Sequence, residues 1–248
     1  MSITNKKIKN LVGENYVYAS VLYYFGIKFY DYSEKTLKQV CDEKGLDIEH
    51  VITSLESVSK GDEAANLQLS PLPIDLIIEY LKHAHYTFIK QRLPYIARLV
   101  ENINLNGSSD QLSKDLKLII PLFIEDFIHH MYEEEDTLFS YIQALHKAKQ
   151  GKYNPSDLYY KMERLSIQKF SMEHEAHDDE MKGIRELTEN YSLKKGQDLQ
   201  MKVLLCELSA FEKDLITHAV IENEVMFPKA LVLEKEVKSM LKERIRFN

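Results

Sequence analysis

Glycine and proline are scarce, with 8 and 6 among 248 residues. So few breaker residues, set between long amphipathic runs, argue against a strand-and-turn protein and for a mainly helical one. Cysteine is scarcer still. Cys41 and Cys206 stand far apart and form no CxxC pair, which excludes a disulfide scaffold and an all-thiolate cluster site. No apolar run approaches the roughly 20 residues needed to span a bilayer. The opening segment, MSITNKKIKNLVGENY, lacks the apolar centre of a signal peptide. A cytoplasmic protein with no membrane partner is therefore expected. Basic excess is absent too. The net charge of −7 argues against nucleic acid as a partner, because phosphate neutralisation needs a basic surface.

What is present is ample core material, 44% hydrophobic residues, enough for one large domain or two small ones. Residues 58–73, VSKGDEAANLQLSPLP, carry small and polar residues and prolines without helical periodicity, and read as a boundary. A small helical domain is expected over 1–58 and a bundle over 74–248. In the first region, helices are expected at 14–24, at 34–45 capped by Ser33 and ended by Gly45, and after Asp47. In the second, long helices are expected near 74–103, 112–147, 156–191 and 197–226. The breaks NLNGSSD, KAKQGKYNPSD and SLKKGQD separate them. Such lengths with short connections argue for an antiparallel four-helix bundle. A charged last helix, about 230–245 after Pro228, is expected on the outside, where it permits a homodimer.

Eight of the nine histidines lie in the second region. His130, Glu134 and Phe139 match His218, Glu222 and Phe227, and each pair lies 88 positions apart. An i, i+4 spacing sets His and Glu on one helix face, one turn apart. Imidazole nitrogen can be a terminal metal ligand, and a carboxylate can bridge two cations. His85 precedes His130 by 45 positions, and His174 precedes His218 by 44. The region therefore reads as a duplicated hairpin. His85 shares a stripe with Ile77, Leu81 and Phe88, and His174 one with Met181, Ile184 and Leu187, so both should point inward. His177, one turn beyond His174, could replace it or add to it.

Four imidazoles and two carboxylates are too many for one tetrahedral zinc. They suit two iron or manganese ions of higher coordination number. A lone histidine on an apolar face is ordinarily a hydrogen-bonded core residue. Four of them repeated with matched glutamates are harder to explain that way, since buried carboxylates need counter-charges. His83, His129 and His146 are read as neighbours or surface groups, and His50, outside the bundle, is assigned no role. Glu133, Glu135 and Asp136 are read as a solvated face.

At these residues the chain resembles hemerythrin-like domains and, more closely, the di-iron proteins for repair of iron–sulfur clusters. The similar segments are HMYEEEDTLF (130–139), HAVIENEVMFP (218–228), HYTFIKQRLP (85–94) and MEHEAHDDEMKGIRELTENY (172–191). Residues 11–57 resemble the small N-terminal domain that often precedes this bundle. Members usually carry a Cys pair after the FGI segment. Here Phe29, Tyr30, Asp31 and Tyr32 stand there, so a thiol role is not expected. Ser140 replaces a proline of the first motif.

The resemblance implies a cytosolic di-iron protein that repairs or protects iron–sulfur clusters under oxidative or nitrosative stress, with iron–sulfur proteins as clients. The alternative it implies is an O₂- or NO-binding sensor or carrier. The metal ligands it implies are His85, His130, Glu134, His174 or His177, His218 and Glu222.

Overall fold

The computed structural model describes residues 3–59, 69–103, 110–177 and 179–246. The chain is all-α, an antiparallel helical bundle preceded in sequence by short helices. Among the described residues no β-strand forms, and an isolated bridge joins Lys7 to Thr36. No described helix is long and apolar enough to cross a membrane.

The short helices are α1 (Ile8–Glu14), α2 (Tyr18–Tyr24), α3 (Leu37–Lys44) and α4 (Ile48–Ser59). Thr36, not Ser33, caps α3. Its hydroxyl accepts from the Gln39 amide at 3.3 Å, and the Gln39 side chain accepts from the Thr36 amide at 2.9 Å, a reciprocal capping box. Gly45 ends the helix with φ of 66°, which costs a glycine little. The Asp47 carboxylate accepts from the Glu49 amide at the start of α4. The expected boundary, 58–73, falls largely on 60–68, outside the described residues.

Three of the four bundle helices are long and interrupted by one π-helical segment each. The first is α5 (Ile74–Thr87), π-segment Phe88–Arg92 and α6 (Leu93–Glu101). The second is α7 (Asp110–Glu134), Glu135–Phe139 and α8 (Ser140–Lys149). Then come α9 (Pro155–Arg164), α10 (Ile167–His177) and α11 (Lys182–Leu187). The last is α12 (Leu199–Ile221), Glu222–Met226 and α13 (Phe227–Arg246).

Two expectations are corrected here. The stretch 156–191 is three helices, not one: Leu165 is extended, and α11 starts afresh at Lys182. The last helix is neither separate nor peripheral. It continues α12 through Pro228, and Phe227, Ala230, Leu233 and Val237 are buried in the core. Each such large side chain contributes roughly 1.5–3 kcal/mol by burial. Its outward charges hid that stripe, and proline read as a stop. Pro94 and Pro228 each stand second in the α-helix that follows a π-segment. The hydrogen-bond register shifts there, so a missing N–H costs little.

Contacts divide the chain into two compact units. One comprises residues 1–67, 92–121 and 183–212. Its core includes Ile8, Leu11, Leu22, Leu37, Val51 and Leu55. Arg92 pairs with the buried Glu207 at 3.2 Å, and Tyr95 packs its ring against Tyr23 at 4.6 Å. Phe29 is buried, and Tyr30 accepts a hydrogen bond from Asn102. Glu189, Asn190 and Tyr191 all have positive φ, a left-handed turn that ends α11. The other unit comprises 68–91, 122–182 and 213–248. There α13 packs on α8 and α10. The buried Glu234 accepts from the Tyr141 hydroxyl at 2.7 Å and from the Ile167 amide at 3.4 Å.

Candidate metal centre

Within this second unit, side chains from four helices converge. His85 comes from α5, Glu134 ends α7, His174 lies on α10, His218 on α12, and Glu222 opens the last π-segment. Amphipathic periodicity turns each inward. His85, Glu134, His218 and Glu222 are buried, and the His174 side chain is 13% exposed. The π-segments start at or just after the site: three residues beyond His85, one beyond Glu134, and at Glu222 itself. A π-turn adds one residue, so the helix carries its ligand face to the site and resumes packing on another face.

The donor atoms form two overlapping groups. Those of His85, His218 and Glu222 lie within 4.8 Å of one another, and so do those of Glu134, His174 and Glu222. Glu222 belongs to both. His174 Nε2 is 2.9 Å from Glu222 Oε2, and His218 Nδ1 is 3.2 Å from that same oxygen. His85 Nε2 is 3.5 Å from Glu134 Oε2, and the His85 and His218 rings lie 4.8 Å apart. The groups cross the sequence repeat. His85 of the first hairpin meets His218 and Glu222 of the second, and Glu134 meets His174.

Burial, helped by the neighbouring His218, pushes the His85 imidazole down to about 3, so it stays neutral as a ligand must be. Burial, with Glu222 beside it, pushes the Glu134 carboxyl well above the usual range. Burial would raise Glu222 too, but His218 and His174 outweigh it and hold that carboxylate below the usual range. The two carboxyls thus split one charge between them. His85 Nε2, His218 Nε2, both Glu134 oxygens and Glu222 Oε1 are buried without a hydrogen-bond partner. Buried polar atoms are seldom left so, and here they cluster. Imidazole nitrogens and carboxylate oxygens fit cations of the iron or manganese kind.

Other groups orient the site. The Glu135 carboxylate lies 2.9 Å from His85 Nδ1 and so aims the opposite nitrogen inward. The sequence placed Glu135 on a solvated face. Its adjacency to Glu134 concealed it, because the π-turn brings the next residue round towards α5. Phe139 stacks on His85 with ring centroids 5.4 Å apart, and Phe227 meets His174 edge-on at 5.5 Å. This explains the repeated phenylalanine.

His130 joins neither group. Its side chain is 42% exposed, and Nε2 lies 3.5 Å from Glu180 Oε1. Burial and the nearby His174 lower its pKa. Glu180 was missed because it follows a loop and has no repeat counterpart. The His177 side chain lies outside the described residues. His129 is exposed and faces Glu133.

The comparisons agree with this chemistry. The family described as Hemerythrin HHE cation binding domain matches residues 76–230. That span exceeds half the chain, and the protein belongs to this family of metal-binding helical bundles. The chain is also similar to proteins named iron-sulfur cluster repair protein YtfE from Yersinia pseudotuberculosis serotype IB (strain PB1/+) and Yersinia pestis (strain Pestoides F). Each is 22% identical over 199 residues, covering 80% of this chain and 84% of the relative.

Proposed function

We propose that this chain is a cytoplasmic di-iron protein that repairs or protects iron–sulfur clusters under oxidative or nitrosative stress. The observation that carries the two-metal reading is Glu222, shared by two separate groups of donors. A carboxylate common to both is the natural bridge between two cations. His85, His130, His174 and His218 are the proposed terminal ligands, and Glu134 and Glu222 the bridges. Iron is favoured by the mixed nitrogen and oxygen donor set. The names of the similar Yersinia proteins support the repair role, with iron–sulfur proteins as clients. When bound, the irons would supply redox chemistry and an affinity for O₂ or NO. The chain itself contributes a buried pocket, a neutral His85 imidazole and buried nitrogen and oxygen atoms that lack hydrogen-bond partners.

Metal analysis with an optical spectrum tests the proposal. Wild type should hold about two irons per chain, the occupancy that paired carboxylate bridges in a bundle core support. Glu134→Ala with Glu222→Ala should lose nearly all of it. A colourless, metal-free protein from iron-replete cells would end the reading. Repair is tested separately, by recovery of a damaged [4Fe–4S] enzyme on adding the iron-loaded protein.

A further inference from the structure

The two groups of donors are unequal. His85, His218 and Glu222 are each buried, and Glu135 braces His85 from behind. The group of Glu134, His174 and Glu222 has a wetter flank. His130, four residues before Glu134, is 42% exposed there and faces Glu180, whose side chain is 29% exposed. Glu180 sits on the turn before α11, held by a hydrogen bond from the Lys182 amide to the Asp179 carbonyl. Its carboxylate faces His130 at 3.5 Å, and its charge adds to the raising of the Glu134 carboxyl. Glu134, on the same helix as His130, has both oxygens buried without a hydrogen-bond partner and shares the outer group with His174 and Glu222.

We propose that Glu180 is a further carboxylate ligand of the outer cation position, and that this position, not the buried one, exchanges iron with solvent. The proposal rests on the two-iron reading above. It gives the centre one retained and one transferable ion. The inner ion sits among side chains that are each at most 6% exposed. The outer ion can pass between two ligands, His130 and Glu180, that already touch water. A carboxylate on a turn can follow the ion outward at smaller conformational cost than one fixed on a helix.

Anaerobic transfer of iron from the ferrous-loaded protein to a ferrous chelator tests this, read by the absorbance of the chelate. Wild type should release its iron in two phases of about equal size. Glu180→Ala and the shape-preserving Glu180→Gln should speed the fast phase by about tenfold or more, the usual consequence of losing a supporting group at a metal. The slow phase should not change. His85→Ala should remove the slow phase instead. A single phase in wild type, wild-type kinetics in both Glu180 variants, or loss of the fast phase in His85→Ala would each overturn the assignment while leaving a two-iron centre standing. Wild type loading fewer than two irons would overturn the centre itself, and this proposal with it.

Discussion

Glu134 shows how a single residue trades stability for function. Buried beside Glu222, it holds its proton in the metal-free protein well above the ordinary carboxyl range. The folded state then binds more protons than the unfolded one, so stability is lost as pH rises above about 4.5. His85 has the opposite sense. Its pKa is about 3 in the fold and about 6.5 when unfolded, so stability is lost as pH falls through that window. Glu222, held low, also loses stability toward acid. Metal-free protein should therefore melt highest near pH 5–6, between the unfolded values of the two groups. Glu134→Gln should raise the melting temperature of the metal-free protein at pH 8 by several degrees, following roughly 1–3 kcal/mol of relieved burial. It should do little at pH 5.5, and it should sharply reduce iron binding. Thermal melts in chelator at the two pH values check this. Equal melting temperatures of wild type and variant at pH 8 would show that the carboxyl carries no burial cost.

At the scale of elements, the π-segments and the left-handed turn depart from ideal geometry. Three π-segments adjoin site residues, and the equivalent of Pro228 in the first motif is Ser140. A π-segment therefore forms with or without the proline. Pro228→Ala should change stability by less than about 1 kcal/mol, whereas removing a proline from an ordinary helix interior would relieve about 3 kcal/mol. Denaturant unfolding distinguishes the two. The turn at Glu189, Asn190 and Tyr191 is strained differently. Asn tolerates positive φ, but Glu does not do so freely. Thr188 compensates by accepting from the Tyr191 amide at 3.2 Å while donating to the Ile184 carbonyl at 2.8 Å. Glu189→Gly should stabilise by about 1 kcal/mol, or about 2–4 °C in melting temperature for a chain of this size.

For the molecule as a whole, every proposed ligand lies in one of the two compact units. Iron bound to the folded state alone, at about a hundredfold excess over its dissociation constant, adds about 2.7 kcal/mol, or roughly 5–10 °C. Loading should also slow amide exchange around His85, Glu134, His174 and His218. Unchanged exchange there on loading would place the metal elsewhere. The duplicated spacing already announced these residues, because an i, i+4 pair shares a helix face whatever the tertiary context. The same periodicity hid other features. It carried helices to 226 and stopped them at Pro228, since a π-turn leaves no mark in apolar spacing. It read 156–191 as one helix, since an amphipathic pattern survives a break that keeps phase.

Composition and spacing alone determined the helical class, the repeated His–Glu faces and the inward set of histidines, because these follow from local periodicity and from the cost of burying unpaired carboxylates. Only the tertiary structure decided that Glu222 is common to both groups of donors, that Glu135 braces His85, and that His130 turns toward Glu180 at the wetter flank. Those pairings join residues on different helices 48 to 137 positions apart, or depend on a one-residue shift of helix register, and neither leaves a trace in a linear pattern.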